Sequence, residues 1–316
     1  MITVTRLDRE GARLLVGGEE LLGAPGLVWI DVEGPSEERM AELARRFHLH
    51  PLAIEDVLHL DQRPKLEEYP DHYFLVLHGF TAAEPDPCEL TLHEVHMFIR
   101  REWIISVHEH PLPALKAARN RLAAEPGNTF ARGVDFVIYA IADALVDENF
   151  DIVDGVESEI ETLEEQILDV PETEQLARMS TLRRAVVTLR RVLSPQRDTL
   201  SQLARGGLPF VQERTLPYFR DVFDHLVRLH EQIEAARDFL GAAREAWLAM
   251  VANRTNEVTK RLTLIATIFL PLSFISGFFG QNFEVLSRPA FFWSMLALIA
   301  LVPPTLLVWF WRNRWF

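Results

Sequence analysis

Two stretches near the end of the chain carry no charge. Leu262–Phe283 holds 22 residues and Pro289–Trp311 holds 23, with neither an acid nor a base in either. About 20 apolar residues in a helix cross the roughly 30 Å of bilayer hydrocarbon, so the spacing predicts two transmembrane helices joined by a loop at 284–288. The competing reading, a buried hairpin, needs more surrounding chain than 316 residues supply for two such runs.

The flanks orient the pair. Lys260 and Arg261 precede the first run, Arg312 and Arg314 follow the second, and the loop holds only Glu284 and Arg288. The positive-inside rule then puts both termini in the cytoplasm, which for a bacterial chain means a multi-pass protein of the inner membrane. Trp293, Trp309, Trp311 and Trp315 sit where amphipathic rings favour the interface. No apolar leader follows Met1, and the single cysteine, Cys88, allows no internal disulfide.

Ahead of the spans the chain reads as an α+β unit at 1–115 followed by a helical one at 116–212. Runs at 27–34, 72–80, 94–100 and 103–109 are rich in β-branched and aromatic residues and predict strands of one sheet. Ser36 and Pro51 open two short helices, and PDPCE at 85–89 reads as a loop. Helices follow at 133–169 and 172–204. A stalk helix at 213–261 runs on from Pro217 with no proline before Pro271. A helix of that length implies packing in a bundle or oligomer.

The net charge is −14, which argues against nucleic acid as a partner. From Asp143 to Asp169 there is no Lys or Arg, and the acid pairs Asp143–Asp147, Asp147–Asp151, Glu157–Glu161 and Glu161–Glu165 repel at i,i+4. A solvated face is the plain explanation. Cations, or bases on a neighbouring subunit, are the other way to offset that repulsion. No nucleotide loop and no Ser-His-Asp or Cys-His arrangement is present, so the chain does not read as an enzyme or a pump. His93, His96, His108 and His110 lack the spacing of a zinc motif.

In the first span, heptad spacing gathers Asn256, Thr259, Thr263, Ala266, Leu270, Ser273, Gly277 and Gly280 into one stripe of small, polar or neutral residues. The stripe permits close helix packing in lipid. Repeated around a ring of subunits it would instead line a pore, with Leu270 as an apolar constriction.

The stretch NRTNEVTKRLTLIATIFLPLSFISGFFGQNF (253–283), together with YFRDVFDH (218–225) and the two spans, resembles the CorA family of divalent-cation transport proteins. The resemblance implies a homopentameric funnel: a mixed sheet flanked by helices, long antiparallel helices, and a very long helix leading into a two-helix membrane region. It implies that the first span lines the pore and the second, at 289–311, packs outside it, ahead of a basic tail at 312–316. The family's Gly-Met-Asn signature corresponds to Gly280, Gln281 and Asn282, with Asn282 meeting the hydrated ion. Leu262 and Leu270 match gate positions, as does Thr259, where methionine is usual. Ser273 and Asn256 match polar rings of the pore. Asp221 and Glu245 match cytosolic positions that sense Mg2+. The expected function is passive uptake of Mg2+; alternatives are a Zn2+, Co2+ or Ni2+ transporter, proton-coupled in some cases, and a non-conducting sensor or scaffold in the bilayer.

Overall fold

The computed structural model describes residues 1–7, 14–18, 21, 26–83, 86–281 and 289–313. These fall into two compact units: residues 1–166 with 172–244, and residues 167–171 with 245–316.

The first unit is built on a seven-stranded sheet. In chain order the strands are β1 (Ile2–Leu7), β2 (Leu14–Gly17), β3 (Val28–Glu33), β4 (Lys65–Glu68), β5 (Tyr73–Ala83), β6 (Asp86–Ile99) and β7 (Trp103–His108), and across the sheet they run β2-β1-β3-β7-β6-β5-β4. Only β3 and β7 pair in parallel. From Phe74 to Phe80 every residue of β5 is buried. Successive side chains of a strand point to opposite faces, so both faces of the sheet are covered. On one face Ile30, Val76, Phe98 and Ile105 pack against Met40 and Leu43 of α1 (Glu37–Phe47) and Ala53 and Val57 of α2 (Pro51–Leu58). Helices α3 (Pro113–Ala124) and α4 (Val134–Asp169) cover the other. Gly79 of β5 faces α4 closely: a Cβ there would stand 2.7 Å from Leu145 Cδ2.

Two local findings refine the sequence reading. The PDPCE segment does not form a loop throughout, because β6 begins at Asp86. Pro87 is tolerated there because β7 pairs only with His96–Ile99, leaving the start of β6 with a free edge. Beyond Val76, β5 has lost its β4 partner. Gln196 of α5 (Thr173–Arg205), itself fully buried, fills that edge: the His78 N–H donates to Gln196 Oε1 at 2.6 Å and Gln196 Nε2 donates to the His78 carbonyl at 3.1 Å. An edge that would otherwise bury unpaired backbone groups is thereby satisfied.

Helix α6 runs from Leu216 to Phe279 without a break and passes through Pro271. Its buried residues in the first unit, Phe219, Val222, Leu226, Leu229, Ile233, Ala236, Leu240 and Ala243, recur every three or four residues. That is the stripe an amphipathic helix needs to pack on neighbours. In the second unit, α6 and α7 (Pro289–Arg312) are both long and apolar enough to cross a membrane.

Candidate functional site: a small-residue helix face and an acid–histidine group

From Lys260 to its end, the half-buried positions of α6 are Lys260, Leu264, Thr267, Ile268, Pro271, Leu272, Ile275 and Phe279. On α7 they are Phe291, Met295, Ile299, Val302, Pro303 and Leu306, with Phe310 buried. Each helix thus has one covered side. Asn256, Thr259, Thr263, Ala266, Leu270, Ser273, Gly277 and Gly280 are all exposed, and at ~100° per residue they lie on the side of α6 opposite the covered one. Leu262 and Leu270 are 62% and 76% exposed, large apolar side chains with no cover in a single chain. The Thr263 hydroxyl donates to the Thr259 carbonyl at 2.8 Å. With its proton used by the backbone, Oγ1 keeps lone pairs to accept from hydration water or face a cation. Gln281 is exposed and its N–H closes the last turn on the Phe278 carbonyl at 3.3 Å. Asn282 lies outside the described residues.

The first unit holds a group that can bind a metal. Asp143 and Asp147 of α4 and His225 of α6 place one ligand atom each within 4.8 Å of one another. Asp143 is buried and paired with Arg121, which also donates to the Tyr139 hydroxyl at 2.7 Å. Partial burial and the neighbouring Asp143 raise the Asp147 carboxyl above its usual range. Two carboxylate oxygens and an imidazole nitrogen suit Co2+, Ni2+ or Zn2+; Mg2+ prefers oxygen and retained water. Asp221, expected as the sensing carboxylate, is exposed one turn before His225, and its charge reaches Tyr139. Glu245 is exposed and belongs to the second unit. The Asp143–Asp147 repulsion and the His225 of YFRDVFDH are each visible in the sequence, but no spacing rule links residues on two helices about 80 residues apart.

Two histidines of the sheet are engaged elsewhere. His108 Nδ1 donates to the His110 carbonyl at 2.6 Å and Nε2 stands 3.2 Å from Asp31 Oδ1. Despite the opposing effect of burial, these contacts raise its pKa and leave no ring nitrogen for a metal. His96 Nε2 contacts Glu94 Oε2 at 2.8 Å. His72, only 3% exposed, stacks between Tyr69 and Phe98, and burial pushes its pKa down to about 4. The unfolded chain takes up that proton near pH 6.5, whereas the folded chain does so only near 4, so this residue withdraws stability as pH falls across that window. At ~1.4 kcal/mol per pKa unit the effect is at most about 3 kcal/mol. In urea titrations at pH 7 and pH 4.5, His72→Phe is expected to lose less stability on acidification than the wild type. Equal losses would show that His72 does not couple to pH.

A profile of one protein family, described as CorA-like Mg2+ transporter protein, matches residues 25–312. The chain belongs to the CorA family. The cobalt/magnesium transport protein CorA of Thermotoga maritima is 34% identical over 91% of this chain and 83% of its own length. The divalent cation transporter CmaX of Pseudomonas aeruginosa is 29% identical over 91% and 87%. Among solved structures, the complete CorA magnesium transporter of Methanocaldococcus jannaschii superposes with a TM-score of 0.86 at 22% identity, covering 100% of this chain and 99% of its own. The sheet-and-helix unit, the very long helix and the two apolar C-terminal helices are therefore the CorA fold, and this CorA-family chain is a membrane transport protein, not an enzyme.

Proposed function

We propose that this chain forms a homopentameric channel that admits divalent cations, Mg2+ first, down their electrochemical gradient. The observation that carries the reading is the α6 stripe from Asn256 to Gly280, exposed along its whole length and turned away from the covered side of the helix. Five such stripes around an axis make a polar path with apolar rings at Leu262 and Leu270 and small residues at Gly277 and Gly280. The path has no charged ring, so ions cross it with part of their water and without proton exchange. At an inside-negative potential of 100 mV a divalent ion gains about 4.6 kcal/mol on entry. Residues 1–261 and the tail at 312–316 face the cytoplasm of a bacterial inner membrane, the loop at 284–288 faces outward, and Asn282 with Gly280 and Gln281 forms the outer mouth. Asp221 and Glu245 contribute to cytosolic sensing of the transported ion.

Glutamine at 281 supports the mouth through its backbone, so Gln281→Met is expected to change initial Mg2+ uptake into proteoliposomes by less than about threefold. Complete loss of uptake would give the Gln281 side chain a role in selection.

A second reading concerns the ion sensed inside. The oxygen, oxygen and nitrogen donors of Asp143, Asp147 and His225 favour Co2+, Ni2+ or Zn2+ over Mg2+ at that point. Asp147→Asn is expected to weaken Co2+ binding to the full-length protein by roughly tenfold or more in titration calorimetry, with Mg2+ uptake retained. Unchanged Co2+ affinity would remove the group from the metal chemistry.

A further inference from the structure

We propose that a groove between α5 and α6 docks the acidic face of α4 from a second copy of this chain; the proposal rests on the oligomeric reading above and names one of its contacts. The groove, a cavity of about 540 Å³, is floored by Met179, Val186 and Leu240 and edged by Arg183, Arg237 and Arg244. Arg237 pairs with Glu234 and Asp238 on its own helix. Among the described residues, Arg183 and Arg244 have no ion pair. Gly241 leaves the floor open: a Cβ there would meet nothing within 4 Å. Val187 at its edge is 54% exposed.

The complementary surface is on the same chain. Helix α4 carries twelve acidic residues and no Lys or Arg, whereas α5 carries seven arginines against two acids. Asp147, Asp151, Asp154, Glu161 and Glu165 are all exposed and recur at helical spacing down one side of α4. Among the described residues, the bases that reach this helix are Arg121 at Asp143, Arg178, which holds Glu159 at 2.5 Å, and His225, 4.0 Å from Asp147. The like-charge repulsion along α4 is thus left largely unanswered by its own subunit.

Heights also match. Contacts of Arg178 with Glu159 and of Gln232 with Asp154 put the groove level with the 154–165 stretch of α4. A rotation axis running along the helices brings equal heights together. Asp154, Glu161 and Glu165 of one copy then meet Arg183, Arg237 and Arg244 of the next. Two different surfaces joined in this way make a head-to-tail contact, the kind that closes rings. A small anion would satisfy the arginines alone and leave the α4 face unmet; an acidic helix answers both.

The test uses full-length protein in detergent, with mass read by native mass spectrometry across a dilution series. Arg183→Glu with Arg244→Glu is expected to raise the concentration at which the assembly dissociates by about tenfold or more. Glu161→Arg with Glu165→Arg is expected to do the same, and the four changes together to restore assembly. Restoration also shows that the paired variants were folded. An Arg183→Glu, Arg244→Glu protein that stays assembled like the wild type overturns the proposal. If it also loses co-purified phosphatidylglycerol, the groove holds anionic lipid instead. A monomeric wild type would defeat the oligomeric reading itself, an outcome distinct from a wild-type oligomer indifferent to these charges.

Discussion

Asn282→Ala is expected to lower Mg2+ uptake by roughly 100-fold or more while leaving Co2+ binding to the Asp143–Asp147–His225 group intact. In the proposed ring, five Asn282 amides at the outer mouth replace hydrogen bonds that the hydrated ion makes to bulk water. Magnesium gives up its first water shell reluctantly, so the mouth must act on that shell through well-placed acceptors. Each such hydrogen bond is worth about 0.5–1.5 kcal/mol, and losing even three of five removes about two orders of magnitude in occupancy of the entrance. The substitution leaves the small residues Gly277 and Gly280 unchanged. Initial uptake rates and calorimetric Co2+ binding, measured on the same preparation, separate the two parts. Uptake within about threefold of wild type would take Asn282 out of ion selection.

The second large effect is on stability. Asp31→Ala is expected to cost about 3 kcal/mol, the lower end of the range for breaking a buried ion pair. Asp31 is 8% exposed and collects a hydrogen bond from Ser106 Oγ at 2.5 Å, the Arg119 guanidinium at 2.6 Å and His108 Nε2 at 3.2 Å. Ser106 in turn accepts from Trp29 Nε1 at 2.8 Å, and Arg119 lies 5.1 Å over the Trp29 ring. Although burial opposes it, His108, Ser106 and Arg119 together hold the Asp31 carboxyl below its usual range. Removing the carboxylate leaves the Arg119 guanidinium without its partner in a largely buried pocket. His108 then titrates at lower pH, because the contact that favoured its charged form is gone. Urea unfolding followed by tryptophan fluorescence reads the stability, and NMR of the His108 ring reads the pKa. A variant with wild-type stability and an unmoved His108 would show that the network contributes nothing net.

How much of this was legible beforehand depends on the kind of signal. Long apolar runs and helical periodicity are local, so the apolar C-terminal helix α7 and the long helices α4, α5 and α6 begin within a few residues of where the sequence places them. Strands β3, β5 and β7 are equally plain, since each is rich in β-branched and aromatic residues. The edge strands were not. Lys65–Glu68 reads KLEE, a charged tetrapeptide that forms a strand because it borders β5 on one side and is partly exposed, where charge suits an unpaired edge. Asp86 and Pro87 looked like loop residues for the converse reason: their strand has no second neighbour there.

The α6 stripe could be seen from spacing alone, but not that it lies opposite the covered side, which depends on the packing of the second unit. The Asp143–Asp147–His225 group joins residues from separate helices, and only tertiary packing brings them within ligand distance. Asp221 was found through resemblance and proves to sit one turn from that group. Glu245 has no comparable neighbourhood among the described residues.

The central claim is tested most directly by ion entry into proteoliposomes holding only this protein. Mg2+, Co2+, Ni2+ and Zn2+ are offered in turn, with an imposed inside-negative potential and, separately, with a pH gradient. The account predicts Mg2+ influx that rises with the potential and is indifferent to the pH gradient. Failure to move any of the four ions, or influx that follows the pH gradient and ignores the potential, would contradict it.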